Sequence, residues 1–183
     1  MKKYLLASAL VLATVSGSAL AGGFVRVEAG RSHGNIDVSG LGSESDNDST
    51  YSVRGGYWFN PNFAVEGFYT NAFDKSYSDG IDTANLKATA IGLGMVGKKN
   101  FGADGNGFFI DGRAGVARGK LEASLTGFGS DSDTSTDPYF GVGAGYDFSQ
   151  SLGLGLSYDY LKSSGQDMDV TVKTLTLGVE FRF

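Results

Sequence analysis

The chain has 183 residues, with 15 Lys+Arg against 20 Asp+Glu, a formal charge of −5, 29 glycines, two prolines and no cysteine. An acidic balance argues against nucleic acid as a partner, and the lack of cysteine excludes disulfides and thiolate chemistry. The length suits one domain, with no Gly-X-Y period, Pro-rich linker or low-complexity tail.

The first 21 residues read MKKYLLASALVLATVSGSALA. Lys2 and Lys3 supply a positive start, Leu5 to Val15 an apolar segment, and Ala19-Leu20-Ala21 a small-residue cleavage site. This predicts a secretory signal over 1–21 and a mature domain over 22–183. The apolar stretch is too short for a spanning anchor. Removing two lysines and no acids takes the charge from −5 to −7. No later run is apolar enough for a transmembrane helix, so entry into a membrane would require a closed barrel, which satisfies every backbone group inside lipid.

Period-two alternation then recurs in eight segments, each near the length that a tilted strand needs to cross a bilayer. GFVRVEAG sets Val25, Val27 and Ala29 opposite Arg26, Glu28 and Gly30. TYSVRGGYWF sets Tyr51, Val53, Gly55, Tyr57 and Phe59 opposite Ser52, Arg54, Gly56 and Trp58. After the turn Asn60-Pro61-Asn62, FAVEGFYT sets Phe63, Val65, Gly67 and Tyr69 opposite Ala64, Glu66 and Phe68. LKATAIGLGMV places Ile91, Leu93 and Met95 outward and Ala88, Ala90, Gly92 and Gly94 inward. FFIDGRAGVAR places Ile110, Ala114 and Val116 opposite Asp111 and Arg113. YFGVGAGYDF alternates aromatic and aliphatic residues with Gly141, Gly143, Gly145 and Asp147. LGLGLSYDY alternates leucines and tyrosines with Gly153, Gly155, Ser157 and Asp159. The closing TLTLGVEFRF sets Leu175, Leu177, Val179, Phe181 and Phe183 opposite Thr174, Thr176, Gly178, Glu180 and Arg182.

Short turns are expected at 60–62 and 149–151 with a longer one near 97–107, and long polar loops at about 33–49, 74–84, 119–135 and 162–168. This asymmetry and the even strand count predict an all-β, eight-stranded antiparallel up-and-down transmembrane barrel. Alternation alone does not say which face is outside, because a soluble barrel reverses the two. The shared charged face favours lipid outside. It carries Arg26, Glu28, Arg54, Glu66, Asp111, Arg113, Asp147, Asp159, Glu180 and Arg182, an expected lumen network of mixed sign whose members must pair. Aromatics form two belts, with Tyr57, Phe59, Phe63, Phe108, Tyr146, Phe148, Phe181 and Phe183 at the short-turn end and Tyr51, Tyr69, Tyr158 and Tyr160 at the other.

The stretches YWFNPNFAVEGFY, DPYFGVGAGYDF and the terminal TLGVEFRF resemble the family of small eight-stranded bacterial outer-membrane barrels that includes OmpX, Ail, the opacity proteins and the N-terminal barrel of OmpA. The resemblance covers the mature chain. It implies residence in a Gram-negative outer membrane, contact with outer-membrane lipid and lipopolysaccharide, and a C-terminal signal of Thr176, Gly178, Phe181 and Phe183 read by the barrel assembly machinery. It does not specify an activity.

The residues offer little for catalysis. His33 is the one histidine, and its neighbour Ser32 points to the opposite face if the strand continues there. Asp37, Glu44, Asp46, Asp48, Asp131 and Asp133 are candidate loop contacts for a divalent cation shared with lipopolysaccharide phosphates, although no defined calcium loop is present. No resident metal or cofactor is expected. The expected role is non-enzymatic: structural, or surface contact with an extracellular or host ligand through acidic loops. Three other readings stand beside it: a lipid A-modifying enzyme, a small or gated channel, and a soluble periplasmic barrel binding an apolar ligand.

Overall fold

The computed structural model describes residues 22–38, 42–78, 83–102, 105–125, 129–164 and 168–183, so the expected signal over 1–21 lies outside the described residues. Eight strands follow one another: β1 (Gly22–Val38), β2 (Gly42–Asn60), β3 (Phe63–Ser78), β4 (Thr83–Asn100), β5 (Gly107–Leu125), β6 (Gly129–Asp147), β7 (Leu152–Ser164) and β8 (Met168–Arg182). Each pairs antiparallel with its sequence neighbours, and β8 closes on β1 through Val27↔Val179 and Phe24↔Arg182. The architecture is the expected closed barrel.

Local chemistry sets the short-turn end. Asn60 Oδ1 accepts from the N–H of Asn62 at 2.8 Å and of Phe63 at 3.0 Å, an Asx turn closed over Pro61. Asn62 is clamped to β4, its carbonyl accepting from Lys98 N at 2.7 Å and its Nδ2 donating to Lys98 O at 2.9 Å. The β4–β5 turn is tighter than the expected 97–107, because both strands run further and leave only 101–106 between them. Gly105 there has φ +76°, a left-handed conformation that glycine takes without strain.

At the other end the strands run 13 to 19 residues, beyond the roughly ten needed to cross a bilayer. Most of the stretches expected as long loops are continued strand pairing; β1 and β2, for instance, pair as far as Val38↔Gly42. Ser/Thr/Asp-rich segments carry little hydrophobic alternation, so their pairing leaves no period in the sequence.

The faces separate by polarity. Leu93, Val142, Ile91, Val116, Leu177 and Phe181 point outward and are all more than half exposed on the isolated chain. Buried side chains are mainly polar or charged, joined by a small aromatic cluster of Phe24 and Trp58 with Ala64 and Val96. The interior is narrow enough to need glycine: a Cβ on Gly143 would lie 2.6 Å from Asp111 Oδ1.

Candidate functional site

The interior is bridged by ion pairs that cross the barrel. Arg54 on β2 donates from Nε to Glu28 on β1 at 2.8 Å, from Nη1 to Glu66 on β3 at 3.1 Å, and from Nη2 to Asp159 on β7 at 2.6 Å. Its guanidinium also lies 4.7 Å from the centre of the Phe68 ring. The planar fork of arginine suits three separate carboxylates better than a single ammonium would. Tyr139 reaches from β6 to donate to Glu66 Oε1 at 2.8 Å.

Arg113 on β5 donates from Nη2 to Ser157 Oγ at 2.8 Å and to Asp111 at 3.2 Å, and lies 3.6 Å from Glu28 and 3.7 Å from Asp159. Arg26 on β1 binds Glu180 through Nε at 3.0 Å and Nη2 at 2.9 Å. A third group lies at the short-turn end. Lys98 Nζ lies 2.8 Å from Asp147 Oδ2, and Arg182 joins Asp147 to Glu180, meeting Glu180 Oε1 at 2.5 Å.

The structure thus brings together all ten residues of the charged face. Sequence reading missed Lys98, because it was assigned to a turn, and Tyr139, because it lay at the edge of its segment; their strand parity was the available signal. With Lys98 included, six acids face five cations, which nearly balances the interior. These contacts line the interior with charged groups held by ion pairs, although Glu28 Oε1, Asp111 Oδ2 and Asp159 Oδ1 are buried without a hydrogen-bond donor.

The other candidates are placed differently. Thr176 and Gly178 face the interior, whereas Phe181 faces outward and Phe183 donates its backbone N–H to Gly23 O at 2.9 Å. Ser32 is buried and donates to Ala72 O at 2.5 Å, while His33 Nδ1 lies 2.9 Å from Asn47 Oδ1. The two are engaged apart and form no nucleophile–base pair. Asp48 is half-buried and caps its neighbour, its Oδ1 accepting from Ser49 N at 2.7 Å. The side chains of Asp37, Glu44, Asp46, Asp131 and Asp133 lie outside those described. Among the described residues no group of three or more carboxylates or histidines is arranged to hold a metal ion.

Comparison with known proteins is consistent with this geometry. The chain is similar in fold to Neisserial surface protein A (TM-score 0.66, 20% identity, 89% of this chain and 99% of that one). It is also similar to Ail of Yersinia pestis, solved with the heparin analogue sucrose octasulfate (TM-score 0.59, 20% identity, 87% and 99%). A third is the N-terminal barrel of Pseudomonas aeruginosa OprF (TM-score 0.54, 18% identity, 89% and 99%). No curated protein matches the sequence. The family described as outer membrane protein beta-barrel domain matches residues 7–183. A charged interior inside an apolar wall, in that family, overturns the reading of a soluble periplasmic barrel with an apolar ligand. The chain belongs to the outer membrane protein beta-barrel domain family, and its place is the bacterial outer membrane.

Proposed function

We propose that this barrel is a non-enzymatic envelope protein acting by surface contact, through the strand extensions and acidic rim that stand beyond the membrane wall on the extracellular side. The observation that carries this reading is the bridging of the interior by the ion pairs of Arg54, Arg113 and Lys98, which disfavours transport as the function. Contact is left to the extensions. The mature domain of 22–183 is exported by the 1–21 signal, and its last strand presents Thr176, Gly178, Phe181 and Phe183 to the assembly machinery. The wall meets outer-membrane lipid and lipopolysaccharide.

The acids of β2 and β6 disfavour a sulfated ligand of the kind solved with Ail. This chain's extensions are acid-rich, with Glu44, Asp46 and Asp48 in β2 and Asp131, Asp133 and Asp137 in β6, and repel a polyanion.

The test compares three strains: one lacking the protein, one carrying a barrel with the β1–β2 and β5–β6 extensions trimmed to the aromatic belt, and one carrying His33→Ala. Trimming is expected to abolish adherence to extracellular matrix or host cells while the barrel still inserts, and His33→Ala is expected to change neither adherence nor the mass of lipid A. A lipid A mass change that depends on His33, with adherence unaffected by trimming, would replace this reading with the enzyme.

A further inference from the structure

Among the described residues, the outward positions of the short-turn girdle include Phe59, Phe63, Phe108, Phe148 and Phe181, all more than half exposed on the isolated chain. On β4 that girdle position is a cation instead. Lys99 is exposed, stands opposite Ile110 of β5, and joins no ion pair among the described residues.

Next to Lys99 the wall is notched. Gly97 of β4 and Gly112 of β5 are direct partners, so two adjacent strands lack a side chain at the same height on the outer face. Phe63, Met95 and Ile110 stand out around them, each more than half exposed. The result is an open-sided groove of about 580 Å³ whose lining includes Phe63, Gly97, Lys99, Ile110 and Gly112, a volume within the range of small-ligand clefts.

The fold does not require these glycines. A Cβ on Gly97 would have Phe63 Cε1 as its nearest neighbour at 3.7 Å, and one on Gly112 would have Gly141 O at 3.9 Å, both ordinary contacts. On the inner face a Cβ on Gly94 would lie 2.7 Å from Ala114 O and collide. β4 pairs through Gly97 with Phe63 on one side and Gly112 on the other without a register shift, and neither glycine has a positive φ. A glycine inside a strand weakens it, and with no bulge or inner packing to serve, it marks a place where another molecule comes close to the backbone. A second outward pair, Gly55↔Gly67, is covered by the protein itself, with Leu93 Cδ2 at 3.3 Å from a Cβ on Gly67.

The surroundings indicate the chemistry of that molecule. The groove opens on the lipid side of the wall, where its glycine floor suits an acyl chain, and Lys99 stands at the periplasmic interface, because short turns face the periplasm. A lysine there extends its ammonium to the headgroup level, where a phosphate is the complementary charge. A two-fold contact between copies of the chain through this face would set their Lys99 ammonium groups side by side, which disfavours it.

We infer that the groove is a binding site for one anionic glycerophospholipid of the periplasmic leaflet, with an acyl chain over Gly97 and Gly112 and the phosphate on Lys99. The inference rests on the outer-membrane placement of the barrel and is independent of the surface-contact reading.

The test reconstitutes the barrel in nanodiscs of phosphatidylcholine with a minor share of phosphatidylglycerol and uses native mass spectrometry to identify the lipids that the released barrel retains. Lys99→Gln removes the charge and leaves the groove, whereas Gly97→Val/Gly112→Val fills the groove and leaves the charge. Both face lipid, so a heat-dependent shift in SDS mobility is expected for all three barrels. The unsubstituted barrel is expected to retain phosphatidylglycerol in preference to phosphatidylcholine, and each variant to lose that preference several-fold. A preference that survives the valines would show attraction by charge alone, and equal retention of the two lipids would show ordinary wall lipid. Either result overturns the site, as would release of paired barrels in place of a lipid-bound one. Should the valine pair fail to insert, Lys99→Gln decides by itself, since a preference it leaves intact also overturns the site.

Discussion

Arg54 holds three carboxylates from three strands, of which Glu28 and Glu66 are buried and Asp159 is half-buried. Replacing it by methionine strands Glu28, Glu66 and Asp159 without their main counter-charge, a loss of about 3–5 kcal/mol for a buried network that loses one partner. Urea unfolding of the refolded barrel in detergent would show this as a lower midpoint. Arg54→Lys is expected to recover less than half of the loss, because one ammonium cannot meet three separated oxygens. The network was partly legible in the sequence: Arg26 and Glu28 in β1, Asp111 and Arg113 in β5, and Glu180 and Arg182 in β8 are each two residues apart within a strand, and that spacing means a shared face. Lys98 was not legible, because its neighbours Gly97 and Lys99 read as a turn, whereas the clamp of Asn62 on one side and pairing with Asp111 of β5 on the other keep it in the strand.

At the level of strands, the outer face sets the environment. Leu93 lies near the middle of β4's apolar stretch, between Ile91 and Met95, and is 65% exposed on the isolated chain. Leu93→Arg is expected to destabilise the barrel in bilayers by about 2–4 kcal/mol, and Thr89→Arg nearer the interface by about 1 kcal/mol or less. Equal costs in lipid-reconstituted unfolding would mean that lipid does not cover this face. The upper end of the β2–β3 ladder, at Tyr51↔Asn71, makes a separate prediction. Ser32→Ala leaves the Ala72 carbonyl without its donor, at about 1–3 kcal/mol for a buried group, and hydrogen exchange should speed up around residues 50–53 and 69–72 before it does near the Asn60–Phe63 turn. Phe183 can be tested as an address. Phe183→Ser retains the backbone bond to Gly23, so refolding in detergent should be little changed, while insertion in cells should drop several-fold if the assembly machinery reads the ring. Strand identity and order were readable here from period two and from turn residues such as Asn60-Pro61-Asn62. The upper limits of the strands were not, since GSESDNDST and GSDSDTSTDP carry turn-forming residues in backbone pairing.

For the molecule as a whole, the sequence left one ambiguity, because a soluble barrel and a membrane barrel share the same alternation. Glycine at 141, 143 and 145 beside charged residues pointed to a crowded interior, and the cross-barrel contacts of Arg54 and Arg113 are what such crowding permits. The upper ends of the β2–β3 and β6–β7 ladders were less readable. Ala72 and Pro138 set those points through a register shift and a missing donor, neither of which carries a hydrophobic period. The central claim is a closed barrel with an apolar wall in the outer membrane and a paired, charged interior. Its most direct test is the mobility in SDS of isolated outer membranes, heated against unheated, with the protein followed by antibody. A band in the outer-membrane fraction that shifts on boiling is the result this account predicts; a soluble periplasmic band with one mobility at both temperatures would contradict it.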